Sequence, residues 1–185
     1  CVYVEATPKM LDAIVACARR GEAVGAAEAD AFCTALLLHL GRRYSEKGWV
    51  MQIHFGCLRN ANSRMFASIG ADTGFDAMNG DGRPQNLARF LDALDKTGEL
   101  PRMVLYSLNP SDSEIIASIA GCVMADAGMP GKVQLGAAWL FNAPKAGMAK
   151  QLLDFSNSTL RAQFVGPLTV DPSFLSHFSY THLSR

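Results

Sequence analysis

The stretch Gly48–Phe66, GWVMQIHFGCLRNANSRMF, decides how this chain is read. An apolar run from Trp49 to Ile53 ends on His54. Gly56 follows, then Arg59, Asn60, Asn62 and Arg64 in quick succession. A short, near-continuous apolar run bounded by glycines predicts a strand covered on both faces, as in a parallel sheet. Such a strand delivers His54 at its end and then releases a cluster of polar groups. Strand ends are where parallel α/β folds build their sites.

Working outward from this strand, the same rhythm recurs. Upstream, Thr7-Pro8 reads as a helix start, a hydroxyl at the N-cap and proline in the first turn. Met10, Leu11, Ile14, Val15 and Ala18 follow at helical spacing, and Gly21 ends the helix. A longer helix is predicted from about Ala26 to Lys47, with Phe32, Leu36, Leu37 and Leu40 on its apolar face and Gly48 closing it. Downstream, the polar, glycine-rich segment from Gly56 to about Pro84 is long for a plain connection and predicts short helices of its own or a functional role. Gln85–Lys96 is amphipathic, with Leu87, Phe90, Leu91 and Leu94 on one side. Met103–Leu108 reads as a strand. Ser111–Ile119 reads as a helix, with Ser111 as N-cap and Glu114 completing a capping box. Lys132–Gly136 reads as a strand, Lys145–Phe155 as a helix and Gln163–Val170 as a last strand.

Strands alternating with helices predict an α/β fold with a parallel sheet, either open and doubly wound or closed as a (β/α)8 barrel. Four strong strands follow from Trp49 onward, where a barrel needs eight. The first residues, CVYVEATP, read as a strand already under way, so the native polypeptide is expected to be longer than 185 residues. Residues 1–185 are read as part of one domain.

Composition narrows the function. Lys+Arg and Asp+Glu are both 17, so no basic face points to nucleic acid or to an anionic membrane. No apolar run approaches the ~18 residues of a membrane span, and no signal peptide is evident. The five cysteines, Cys1, Cys17, Cys33, Cys57 and Cys122, form no C-x-x-C pair. They read as small apolar fillers in a reducing cytosol. Neither G-x-G-x-x-G nor a P-loop is present, which argues against nucleotide sites of those types.

Polar residues gather after each strand: His54, Arg59, Asn60, Asn62 and Arg64; Asn109 and Asp112; Trp139 and Asn142; Thr169 and Asp171. His54 has three readings: a metal ligand, an acid/base group or a satisfied core histidine. Arg59 offers a fork that matches a carboxylate, against the alternative of a surface cation. Trp139 offers a stacking wall for a sugar ring, against ordinary core packing. His39, among leucines, reads as structural. His177 and His182 lack the i, i+4 spacing of a helical metal pair. Asp72, Asp76 and Asp81 sit in the long connection, where Gly80-Asp81-Gly82 has turn chemistry.

Several blocks resemble the uronate isomerases. They are WVMQIHFGCLRNANSRMF (Trp49–Phe66), DTGFD (Asp72–Asp76), LARFLDALDKTGELP (Leu87–Pro101), VLYSLNP (Val104–Pro110), GKVQLGAAWLFN (Gly131–Asn142) and QFVGPLT (Gln163–Thr169). The resemblance implies membership of the amidohydrolase superfamily. It implies the C-terminal half of a (β/α)8 TIM-type barrel, with a divalent metal, most often zinc, at the strand ends. It implies a cytoplasmic bacterial enzyme interconverting D-glucuronate with D-fructuronate and D-galacturonate with D-tagaturonate. The family's H-x-H metal pair, and the tyrosine thought to handle the carbonyl oxygen, belong to a part of the barrel upstream of Cys1. By position, His54 matches the active-site histidine of the M-Q-x-H-x-G block. Arg59 and Asn60 fall in the substrate-binding L-R-N continuation, and Trp139 in the W-x-F-N block. The last strand departs from the family's T-D-S-R-S-F-L-S. Val170 stands where the aspartate is expected and Pro172 where the arginine is, with Asp171 one residue late. Asp171 is the nearest carboxylate for both proton transfer and the metal. The expected partner is a small-molecule hexuronate, with homo-oligomerisation left open.

Aldose–ketose isomerisation moves a proton between C2 and C1 through an enediolate. It needs a base and a centre that takes the developing negative charge. Two further readings stay open from the sequence: a metal-dependent hydrolase of the same superfamily, and a non-catalytic sugar-acid-binding remnant favoured by the altered last strand.

Overall fold

The structure, a computed structural model, describes residues 1–80, 84–123 and 132–136. The chain divides into two compact units, Cys1–Met51 with Arg83–Arg102, and Gln52–Gly82 with Met103–Arg185.

The first unit is helical. Helix α1 (Pro8–Arg19) starts as the sequence predicts, with Thr7 Oγ1 accepting from Met10 N at 3.3 Å. Helix α2 (Ala26–Lys47) ends on Gly48 at φ 67°, a left-handed conformation that glycine adopts without strain. Helix α4 (Pro84–Asp95) buries Phe90, Leu91 and Leu94, three of the four residues on its expected apolar face. It packs on α2 through close backbone approach. A Cβ on buried Gly41 would lie 2.7 Å from Leu94 Cδ1.

Two expectations in this unit are corrected. The α2 core face is not the leucine stripe. Ala31, Thr34 and Gly41 are buried, whereas Phe32 and Leu36 are exposed. Small residues let neighbouring elements come close, and that requirement outweighs the periodicity of the larger ones. Cys1–Val4 is also no strand among the described residues. Its amides are taken up by side chains instead: Val2 N donates to Asp30 Oδ1, Tyr3 N to Asn86 Oδ1 and Val4 N to Thr34 Oγ1. Buried N–H groups need partners, and helix side chains supply them here without a ladder.

The second unit contains most of the sheet. Strands β1 (Val50–Phe55), β4 (Arg102–Ser107) and β5 (Val133–Leu135) are hydrogen-bonded in the order β1-β4-β5. β4 and β5 are parallel, with Met103 opposite Val133 and Leu105 opposite Leu135. Helix α5 (Ser113–Cys122) lies against β5 and buries Ile116, Ala117 and Ala120. The alternation of strand side chains puts Met103, Leu105 and Val133, all essentially inaccessible, on one face. The chain therefore has the expected α/β character, with a parallel strand pair and flanking helices.

The long connection after β1 carries structure of its own, as its length predicts. β2 (Cys57–Leu58) pairs antiparallel with β3 (Ala77–Met78), and α3 (Ser63–Ile69) lies between them, capped by Asn62 Oδ1 on Met65 N. β1 itself is not covered on both faces. Met51 is buried, while Val50, Gln52 and His54 are exposed, so the strand alternates. Nor does Ser111 cap α5. Asn109 caps a 3-10 turn at Pro110–Asp112 that precedes the helix, its Oδ1 accepting from Ser111 N. All five cysteines are free and none is buried, against the reading of them as core fillers. His39 is exposed on α2. The predicted helix Lys145–Phe155 and strand Gln163–Val170 lie outside the described residues. No helix among the described residues is long and apolar enough to cross a membrane.

Candidate active site

The end of β1 is built from glycine and hydrogen bonds. Gly56 follows at φ 72°, and a Cβ there would run into Ser107 Oγ. Only glycine satisfies both the backbone angle and the close approach. Ser107 Oγ donates to Asp112 Oδ2 at 2.6 Å and accepts from Asn109 N at 3.1 Å. Leu108 N donates to Phe55 O, and Asn79 N to Gly56 O. Asn109 Nδ2 reaches Asn79 O at 3.4 Å. These bonds tie the residues after β1, β3 and β4 to one another. Asp112, expected among the polar groups of a strand end, is a buried member of this tie.

His54 sits on that frame. Its ring stacks on Tyr106 of β4, with centroids 4.4 Å apart and planes 9° from parallel. Tyr106 alternates with Leu105 along β4, so the stacked pair lies on the sheet face opposite the one that holds Met103 and Leu105. Partial burial of the ring pulls the His54 pKa below the ordinary histidine value, since removal from water penalises the imidazolium. The imidazole is then neutral at neutral pH, the form that accepts a proton or donates a lone pair to a metal.

Tyr106 was not singled out from the sequence. It is 7% exposed, burial raises the pKa of its phenol, and its hydroxyl finds no hydrogen-bond partner among the described residues. The other flank of the ring meets Gly136, where any Cβ would collide with it. The available signal was weak: Val104 and Tyr106 share a strand face by period two, and Gly136 ends the apolar run of β5.

Arg59 and Asn60 are placed differently from His54. Arg59 Nη1 binds Asp72 Oδ1 at 2.9 Å and Asp76 Oδ2 at 2.8 Å. Asn60, at φ 53°, donates its backbone N–H to Asp76 Oδ1 at 2.9 Å. That amide is the largest influence holding the Asp76 carboxyl below its usual pKa, with Arg59 adding to it. The arginine fork thus meets carboxylates of its own loop. Asp72 and Asp76, read from sequence as loop acids, are its partners, and Asp81 lies outside the described residues. Trp139, Asn142, Thr169, Val170, Asp171, Pro172, His177 and His182 also lie outside them. Among the described residues no three His, Cys, Asp or Glu side chains converge as a metal site would require.

The chain was compared with known proteins. The family model for glucuronate isomerase matches residues 1–185. Uronate isomerases of Salmonella arizonae and Salmonella newport are each 45% identical over 175 residues, covering 95% of this chain and 37% of theirs. The crystal structure of uronate isomerase from Thermotoga maritima superposes with a TM-score of 0.73 at 29% identity, covering 86% of this chain and 33% of that one. The chain spans well under half the length of the relatives it matches. With one family model matched from the first residue to the last, the chain belongs to the glucuronate isomerase family.

Proposed function

We propose that the full-length gene product is a hexuronate isomerase, interconverting D-glucuronate with D-fructuronate and D-galacturonate with D-tagaturonate in sugar-acid catabolism in the cytoplasm. The observation that carries this reading is the family match over the whole of residues 1–185. The sheet described above is read as part of a (β/α)8 barrel of the amidohydrolase type. A small-molecule hexuronate is then the ligand held at the strand ends.

In this reading His54 is an acid/base group facing the sugar. A neutral imidazole whose plane is set by the stack on Tyr106 suits proton transfer beside C1 and C2. Asp171 is proposed as a second proton-transferring group, with Trp139 as a wall for the sugar ring. Arg59 and Asn60 act on substrate through the loop they hold, in keeping with the ion pairs of Arg59 to Asp72 and Asp76. A divalent metal, zinc by family resemblance, would supply a centre for the developing enediolate charge, with Asp171 as one ligand. The described residues alone do not fit such an ion, since no three candidate ligands meet among them.

A non-catalytic, sugar-acid-binding protein is a second reading, favoured by Val170 and Pro172 at positions where the family pattern has aspartate and arginine. Turnover of glucuronate by the full-length gene product separates the two. The isomerase reading requires turnover that His54→Ala lowers by about 10²-fold or more. It also requires Asp171→Asn to be slower than the parent, and equal rates would remove Asp171 as a base. Binding of glucuronate without turnover would establish the second reading.

A further inference from the structure

We propose that the Tyr106 hydroxyl is a hexuronate-binding group, donating a hydrogen bond to an oxygen of the sugar acid beside His54. The inference rests on the reading of the strand ends as a hexuronate site, which names the ligand.

Three observations carry it. Tyr106 is 7% exposed, and its hydroxyl has no hydrogen-bond partner among the described residues. It is the only buried side-chain polar atom among them left in this state. Buried polar groups are almost always paired, so an orphaned one calls for a physical cause. Residue type sharpens the point. A phenylalanine would fill the same space and make the same ring contact without taking a hydroxyl out of water.

The second observation is position. Tyr106 and His54 are each the penultimate residue of their strands, β4 and β1, and their rings stack with centroids 4.4 Å apart. A sugar acid whose reacting carbons face His54 therefore lies next to the phenol as well. The third is rigidity. A Cβ on Gly136 would lie 2.7 Å from Cζ, the carbon that bears the hydroxyl, and closer still to Cε1 and Cδ1. Gly136 is in turn held against β4, its N–H donating to Leu105 O at 2.8 Å. Between the imidazole and this backbone the ring has one place, so the hydroxyl oxygen is fixed and only its hydrogen turns.

The chemistry suits a donor. Burial raises the phenol pKa, so the group keeps its proton at neutral pH. A hexuronate presents hydroxyl, carbonyl and carboxylate oxygens, all of which accept from a phenol. Ser107, Asn109 and Asp112, which follow Tyr106 in the chain, bond to one another instead. A buried donor that the described chain leaves unused is the kind of group that discriminates for a ligand able to satisfy it.

The test compares Tyr106→Phe with the parent in the full-length gene product. Three measurements are made: urea denaturation without ligand, calorimetric titration with D-glucuronate, and steady-state turnover of D-glucuronate. The variant keeps the ring and loses only the hydroxyl. Without ligand it should be as stable as the parent or more so, because no described group bonds to that hydroxyl. Glucuronate should bind on the order of tenfold more weakly, and kcat/KM should fall by a similar factor. Affinity within threefold of the parent overturns the inference, since the hydroxyl then does not meet the sugar acid. A ligand-free variant that is destabilised, or that does not fold, also overturns it, because the hydroxyl is then bonded to protein. A parent that binds glucuronate without turning it over removes the isomerase reading alone, and the calorimetric comparison still decides the role of Tyr106. A parent that does not bind glucuronate overturns both.

Discussion

Replacing Gly56 by alanine tests the frame under the candidate site. Two penalties add. At φ 72° an L-residue sits in the left-handed region, which costs roughly 1–2 kcal/mol. The new methyl also runs into Ser107 Oγ, which cannot simply step aside. It is bonded to Asp112 Oδ2 at 2.6 Å and to Asn109 N at 3.1 Å. Displacing it leaves a buried polar group without its partner, about 1–3 kcal/mol. The sum is about 2–5 kcal/mol of local stability, at tenfold for each ~1.4 kcal/mol. Native-state hydrogen exchange reads this directly at two amides flanking the position, Leu108 N on Phe55 O and Asn79 N on Gly56 O. Both should exchange roughly 30- to 4000-fold faster in Gly56→Ala. Adding Ser107→Gly removes the collision partner, so the double variant should be less damaged than the two singles added together, by about 0.5–3 kcal/mol of coupling. Exchange in Gly56→Ala within threefold of the parent would refute the close approach on which the argument depends.

Gly41→Ala places a methyl 2.7 Å from Leu94 Cδ1 on the α2–α4 contact, and should destabilise by about 1–3 kcal/mol in urea denaturation. Asn62→Ala removes the side-chain cap from Met65 N and should weaken α3 by about 0.5–2 kcal/mol, seen as faster exchange of its first-turn amides. Asp76 has a folded pKa below its ordinary value. Its contribution is therefore complete above the ordinary carboxyl pKa of about 4 and is lost as pH falls through the lowered value. Protection of the Asn60 amide should accordingly drop in acid, and Asp76→Asn should abolish that dependence.

What could be read in the sequence was local. Thr7-Pro8 and Gly48 mark helix ends through backbone preferences that hold wherever the residues are, and both lie where expected. The strand leading to His54 was equally legible, because its apolar run and the glycine after it are contiguous. What was not legible depends on partners distant in the chain. The amides of Val2, Tyr3 and Val4 are satisfied by Asp30, Asn86 and Thr34, across separations of 28, 83 and 30 residues. No nearest-neighbour pattern distinguishes that from a ladder. Phe32 and Leu36 have the right period for a core face, yet α2 buries Ala31, Thr34 and Gly41. The decisive quantity there is the distance between elements, which periodicity does not contain. The stack of His54 on Tyr106 is of the same kind, a contact between strands that are 52 residues apart at these positions.

The polar groups released after β1 and β4 look alike in sequence, but they divide into two populations by what they bond. Arg59, Asn60, Asn109 and Asp112 spend their hydrogen bonds on the chain itself. Arg59 and the Asn60 amide hold Asp76, while Asn109 and Asp112 hold Ser107 and the segment at Asn79. Buried or half-buried donors and acceptors engaged in this way are poor ligand groups, since a ligand would have to break an existing bond to use them. His54 differs in kind. The face of its ring stacks on Tyr106 of the neighbouring strand. A strand-end cluster of this composition therefore contains more scaffold than chemistry. The frame fixes where the chain turns, and the stack sets the His54 ring against Tyr106. Position after a strand, which sequence reveals, gathers these residues into one cluster but does not say which of them bond to the chain itself.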